Sequence, residues 1–358
     1  MTRATRAVID LAALKHNLQI SRQVAPHSKH MAIIKAHAYG HGMVRIAQAL
    51  DEADAFGVAI IEEAIPLREA GISKPILLLE GINAEPDLTL VRAYSLDCVI
   101  HHESQLKLLE STTGDPINVW LKIDTGMHRL GFKPEQAMAV YERLQNCEVV
   151  KQVVAVMTHL ANADDLADDF TRQQIQLFNE SVTSCGATRS IANSAGILAW
   201  PASHCDWVRP GIMLYGVNPF VAGTQTSYEL RPVMTLQSEL IAVNRFKKGD
   251  QVGYGGTWTC PEDMSVGVVA IGYGDGYPRH APSGTPVLVN GRRVQLIGRV
   301  SMDMVTVDLR QQVAAKPGDP VILWGPGLPV EEVAECAGTI AYELLCSVTN
   351  RVQFEYGE

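Results

Sequence analysis

Met31-Ala32-Ile33-Ile34-Lys35-Ala36 and Gln152-Val153-Val154-Ala155-Val156-Met157-Thr158-His159 are apolar on both faces and end in polar or cationic side chains. A strand with one wet face alternates between apolar and polar residues. A strand covered on both faces, as in a parallel sheet flanked by helices, does not. Working outward, six further runs of this kind stand at 55–59, 75–80, 97–101, 118–124, 189–194 and 207–215. Stretches with helical spacing separate most of them, for example at 43–50, 62–70, 103–109 and 135–144. Eight strand–helix units in about 200 residues predict a (β/α)8 barrel rather than an open sheet.

Beyond about residue 230 the helical spacing fades. Short runs of Val, Ile, Thr and Leu at 238–243, 266–271, 287–289, 294–297, 305–309 and 320–324 are separated by Gly and Pro. Asn290-Gly291 falls between two of them, a strong signal for a two-residue hairpin. A smaller, mainly antiparallel β domain is predicted, with helices only at 330–337 and 339–346. The expected division is 1–230 for the barrel and 231–358 for the β domain, with residues 1–10 open to pairing with the latter.

Composition narrows the class. The chain has 358 residues and 47% of them are hydrophobic, ample apolar material for a core and unlike a disordered chain. Thirty Lys and Arg stand against 39 Asp and Glu, for a net charge of −9. That balance argues against nonspecific nucleic-acid binding, which needs surplus cations to displace counterions. No apolar run approaches the length of a membrane span, and the start, interrupted by Asp10, does not read as an export signal. A cytoplasmic protein is expected. The cysteines, Cys98, Cys147, Cys185, Cys205, Cys260, Cys336 and Cys346, are scattered and odd in number, with no C-x-x-C pair. Free thiols are expected, and no metal site.

In a barrel of this kind functional groups gather at the C-terminal ends of the strands. Lys35 stands at the end of its run, followed by His37, Tyr39, Gly40, His41 and Gly42. Partial desolvation there disfavours the charged amine, and a neutral amine can form a Schiff base with a carbonyl. The plain alternative is a lysine reaching out to solvent. Other run ends bring Lys122, Asp124 and Arg129, then Thr158, His159 and Asp164, then Asn193 and Ser194, then Arg209. Singly, each has a structural reading, with His159 a satisfied core histidine and Asp124–Arg129 a surface ion pair. Jointly they converge on one mouth. Ser194-Ala195-Gly196 reads as a helix start, and Gly211-Ile212 offers further backbone donors, so the late loops suit a phosphate. No P-loop or complete G-x-G-x-x-G occurs, which favours a small phosphorylated cofactor over a nucleotide.

An imine-forming lysine, a phosphate cradle and an Arg–His pair suggest pyridoxal phosphate. Residues 34–42 (IKAHAYGHG) resemble the cofactor signature of alanine racemases. The resemblance continues at 122–132 (KIDTGMHRLGF), 158–164 (THLANAD), 192–196 (ANSAG), 208–216 (VRPGIMLYG), 252–255 (VGYG), 271–279 (IGYGDGYPR), 298–303 (GRVSMD) and 340–343 (IAYE), essentially the whole chain in order.

The resemblance implies a racemase that interconverts L- and D-alanine and supplies D-alanine for peptidoglycan synthesis. Lys35 would hold pyridoxal 5'-phosphate and serve as base at one face of the substrate, and Tyr254 of the partner subunit at the other, in a homodimer with shared sites. Tyr39, Ser194, Gly211, Ile212 and Tyr342 would hold the phosphate, Arg209 would face the pyridine nitrogen, and His159 would lie against the ring. Arg129 would contact the cofactor's phenolic oxygen and, with the partner's Met302, bind the substrate carboxylate. Lys122 matches a position often carbamylated in the family, orienting Arg129, and Asp164, Tyr273 and Arg279 match positions at the substrate entrance. A tyrosine base needs a cationic neighbour to lower its pKa, and His159, linked to Arg209, is the expected one.

The alternative reading is a racemase of broader or different specificity, acting for example on serine. A non-catalytic pyridoxal-phosphate barrel is a further alternative, but such a carrier has no use for Tyr254 and Met302. One position departs from the signature: His37 stands where Asn is expected. Strand alternation predicts its side chain on the side of Lys35, as a neutral replacement or as a group that alters hydrogen bonding there.

Overall fold

The computed structural model describes residues 4–221, 224 and 228–357; residues 1–3 of the expected N-terminal pairing segment lie outside the described residues. The first strand, β1 (Arg6–Asp10), leads into a helix, Leu11–Val24, whose start is capped by Asp10 accepting from the Ala13 N–H at 2.8 Å. Eight parallel strands then close into a barrel: β2 (Lys29–Ile33), β3 (Ala55–Val58), β4 (Ile76–Leu78), β5 (Asp97–Ile100), β6 (Ile117–Lys122), β7 (Val150–Met157), β8 (Thr188–Ser190) and β9 (Trp207–Val208). Closure is made by β9 against β2, with Lys29 opposite Trp207 and His30 opposite Val208. All four residues of β3 and of β5 are buried, as strands shielded on both faces must be. Trp120 and Trp207 meet edge to face at 5.4 Å inside the barrel wall.

The second unit contains β10 (Met234–Phe246), β11 (Gln251–Val252), β12 (Trp258–Thr259), β13 (Met264–Val269), β14 (Pro286–Val289), β15 (Arg292–Ile297), β16 (Val305–Asp308), β17 (Pro320–Trp324) and β18 (Gln353–Gly357). The main sheet runs β13-β16-β15-β14-β17-β10-β1-β18, and β13 also pairs with β10, so six strands close on themselves. All of its pairings are antiparallel except β1 with β18. Over residues 234–240 of β10 buried and half-buried positions alternate, the mark of one covered face. The Asn290-Gly291 hairpin forms with both residues left-handed, φ 51° and 74°, and joins β14 to β15. Tyr277 stacks on Trp324 in this core at 6.2 Å.

Two strand readings change. The run at 31–36 does not stay extended: β2 ends at Ile33, and Lys35 opens a turn beyond it. The run at 207–215 is extended only over Trp207–Val208, after which Ile212–Tyr215 forms a 3-10 turn.

Candidate active site

The segment after Lys35 winds left-handed. Ala36, His37, Ala38 and Tyr39 have φ of 51°, 55°, 58° and 50°, followed by Gly40 at 81° and Gly42 at 92°. For L-residues this costs roughly 1–2 kcal/mol each, so the turn persists only where the surroundings dictate it. Glu63 accepts from the N–H of Ala36 at 2.6 Å and of Ala59 at 2.7 Å, tying the turn to the end of β3. The two glycines meet the β domain: a Cβ on Gly40 would collide with the Leu345 carbonyl, and one on Gly42 with the Tyr356 hydroxyl. His37 therefore lies in a turn, not on a strand, and its side chain is exposed. The alternation that placed it beside Lys35 does not apply.

Tyr39 is buried, with its ring 4.7 Å from Tyr215 and 5.8 Å from Tyr342 of the β domain. Its hydroxyl faces Gly211, where a Cβ would come within 2.8 Å of it. Ser194 begins the helix Ser194–Ala199, and its hydroxyl oxygen accepts from the N–H groups of Gly211 at 3.0 Å and Met213 at 3.3 Å. The structure thus gathers Tyr39, Ser194, Gly211 and the start of the Ile212 turn around one spot. Tyr342 stands at its rim, where burial, with the charge of Asp164, raises its hydroxyl to about 12.

Arg209 is buried without a carboxylate partner among the described residues. Its terminal NH groups go to the Ser190 hydroxyl at 2.6 Å and the carbonyls of Thr158 at 2.6 Å and Ile191 at 3.1 Å. Burial lowers it to about 10, so it stays charged near neutrality. Lys122 is buried at the end of β6, and burial, with Arg209, Arg129 and Lys35, brings it down to about 8. Burial and the same cations hold His159 well below its ordinary value. These surroundings favour the neutral imidazole of His159, and Arg209 bonds to the carbonyl of the preceding Thr158. Asp124 does not pair with Arg129. It accepts from the N–H groups of Gly126 and His128, both at 3.0 Å, and from the His128 ring at 3.2 Å. That leaves the exposed Arg129 on a shallow depression lined with Lys122, Thr158 and His159.

The remaining predicted residues lie on the β domain. Tyr254 sits on the short turn between β11 and β12 and is 69% exposed, and Met302 is 52% exposed. Tyr273 and Met302 share a locked pair of loops, with Tyr273 N–H donating to Ser301 and Gly274 N–H to the Met302 carbonyl. Arg279 lies over the Tyr273 ring at 6.0 Å. Glu63, Tyr215 and Tyr356 were not singled out by sequence. No local pattern marks them, because each acts across a long chain separation.

Residues 9–219 match the family described as alanine racemase, N-terminal domain, and residues 233–356 the one described as alanine racemase, C-terminal domain. The chain belongs to the alanine racemase family. The alanine racemase of Nitrosococcus oceani is 56% identical over 348 residues, 97% of this chain and 98% of that one. The crystal structure of biosynthetic alanine racemase from Pseudomonas aeruginosa superposes with a TM-score of 0.95 at 44% identity, covering both chains fully. That of Bartonella henselae, with covalently bound pyridoxal phosphate, gives 0.91 at 28% identity over 99% of each chain. As a member of this family the chain is an amino-acid racemase, an isomerase.

The residues present suit pyridoxal phosphate. Lys35, Lys122, Arg129 and Arg209 all act on His159, and among the described residues no anion is bonded to Arg209. A ligand with an anionic phosphate and a phenolic oxygen answers that gathering of cations, and a ring nitrogen with a free lone pair suits the Arg209 guanidinium. The Ser194–Gly211 arrangement leaves a backbone surface at which bulk is excluded by Tyr39.

Proposed function

We propose that the protein interconverts L- and D-alanine with pyridoxal 5'-phosphate held on Lys35, by a two-base mechanism. The observation that carries this reading is the single mouth at which Lys35, the uncompensated Arg209 and the Ser194–Gly211 cradle sit in a chain of this family. Tyr39, Ser194, Gly211, Ile212 and Tyr342 would hold the phosphate, Arg209 the pyridine nitrogen, and His159 would lie against the ring. When bound, the cofactor supplies an electron sink that acidifies the substrate α-carbon.

The rest belongs to the chain. Racemisation removes a proton from one face of the α-carbon and returns one to the other. A single base would have to cross over, so two bases are the economical solution. Lys35 Nζ would act at one face and the Tyr254 hydroxyl of a second copy at the other. The exposure of Tyr254 and Met302 in the single chain supports their use by a partner, in a homodimer with shared sites. Arg129 and the partner copy's Met302 would bind the substrate carboxylate. Lys122, whose burial favours the neutral amine that reacts with carbon dioxide, would be carbamylated and orient Arg129. Asp164, Tyr273 and Arg279 would line the entrance. Because Arg209 does not surrender its proton near neutrality, it would leave the pyridine nitrogen unprotonated and limit side reactions. Arg209, not the neutral His159, would then be the fixed positive charge that favours the ionised Tyr254.

We further propose a division near residue 230, with the first ten residues grouped with the β domain. The pairing of β1 with β10 and β18 supports that grouping. Cytoplasmic supply of D-alanine for peptidoglycan is the proposed role, supported by the biosynthetic designation of the Pseudomonas relative. The reading is tested by α-proton exchange in deuterated water across a panel of amino acids. Exchange of alanine well above serine and the rest is expected. No exchange with any amino acid by the cofactor-loaded protein would contradict it.

A further inference from the structure

The left-handed turn from Ala36 to Tyr39 places both Lys35 and the Tyr39 ring, and Glu63 ties only its first residue. Its far end is held by a residue with no role so far. His41 is fully buried, and its Nδ1 lies 3.1 Å from the carbonyl oxygen of Ala38 and 2.8 Å from that of Tyr39. Carbonyl oxygens only accept, so Nδ1 carries the proton and donates to both. Nε2 is then a bare lone pair, with no partner among the described residues. The imidazole lies 4.6 Å from the Tyr215 ring, which in turn lies 4.7 Å from Tyr39. Burial pushes the group down to about 4, so the neutral, single-donor form is the one present near neutrality.

We propose that His41 is a positioning residue for the cofactor site: its Nδ1–H gathers the carbonyls of Ala38 and Tyr39 and sets the left-handed turn that presents Lys35 and Tyr39 to pyridoxal phosphate. The surroundings explain the residue type. The donor must sit close to the backbone to reach carbonyls two and three residues back. It must be uncharged, because no carboxylate is among its bonded partners. It must also be flat to fill the space against Tyr215. Gly40 and Gly42 flank it because the Leu345 carbonyl and the Tyr356 hydroxyl crowd both neighbouring positions. The His41 carbonyl is itself held, accepting from the Tyr356 hydroxyl at 3.2 Å.

The inference rests on Lys35 holding the cofactor, and its test separates the two. His41→Phe keeps a ring against Tyr215 and loses the donor. His41→Asn loses the ring and keeps an N–H at the position of Nδ1. The dissociation constant for pyridoxal phosphate by equilibrium dialysis and the visible absorbance of the lysine-bound cofactor are measured for both, with wild type and Lys35→Ala alongside. His41→Phe is expected to bind the cofactor at least about tenfold more weakly, with a reduced lysine-bound fraction. His41→Asn is expected to stay within about threefold of wild type. If His41→Phe does not fold, judged by circular dichroism, His41→Leu takes its place, since it lacks a donor and is smaller than the ring. A donor-lacking variant that loads like wild type, or equal impairment of the Asn and donor-lacking variants, overturns the proposal alone. Wild type that does not load on Lys35 overturns the reading beneath it as well.

Discussion

The hydroxyl oxygen of Ser194 accepts a hydrogen bond from the backbone N–H of Gly211 at 3.0 Å, joining the two loops proposed to hold the cofactor phosphate. The N–H of Met213 adds a second bond at 3.3 Å. With its oxygen accepting on the protein side, the Ser194 hydroxyl hydrogen is available to an anion at the mouth.

Ser194→Ala removes the acceptor and leaves the Gly211 and Met213 N–H groups short of a partner. Each buried orphan costs about 1–3 kcal/mol. The variant is expected to melt at lower temperature and to bind pyridoxal phosphate about tenfold more weakly. Thermal melts with and without cofactor, together with dialysis, check both effects. Unchanged cofactor affinity would remove Ser194 from the phosphate site.

Lys122 carries a charge that its burial opposes. Between about pH 8, where it titrates when folded, and the ordinary lysine value of about 10.4, the unfolded chain binds more protons than the folded one. Its contribution to stability therefore rises with pH across that window and is most unfavourable below it. In cofactor-free protein and carbon-dioxide-free buffer, Lys122→Met is expected to gain about 1–3 kcal/mol near neutrality. The gain should shrink as the pH approaches about 10. Denaturant titrations across this range decide, and a pH-independent difference would contradict the assignment.

Shared sites predict complementation. Lys35→Ala and Tyr254→Phe proteins are each expected to racemise very poorly alone. Mixed and allowed to exchange subunits, half the dimers would be hybrid, with one doubly damaged site and one intact site. Activity should recover to about one quarter of wild type. A mixture no more active than its components would count against a tyrosine supplied by the partner.

Much of this architecture was legible because its cause is local. The runs at 31–36 and 152–159 owe their two-sided apolarity to burial under helices, and Asn290-Gly291 owes its turn to residues that tolerate positive φ. The turn after Lys35 was not legible. Ala36, Ala38 and Tyr39 have no preference for the left-handed region, and much of what holds the turn lies far away in sequence, at Glu63, Leu345 and Tyr356. Charge states were hidden for a similar reason. The downward push on His159 comes from burial among Arg209, Lys122, Arg129 and Lys35, which only the closed barrel brings together.

The two-base assignment is tested most directly by exchange of the α-proton of L-alanine and of D-alanine with deuterated solvent, measured separately for wild type and Tyr254→Phe. Wild type should exchange both enantiomers. In Tyr254→Phe, Lys35 still serves one face, so exchange should persist for one enantiomer and fall by roughly 10²–10⁴-fold for the other. Equal loss from both enantiomers, or none from either, would contradict it.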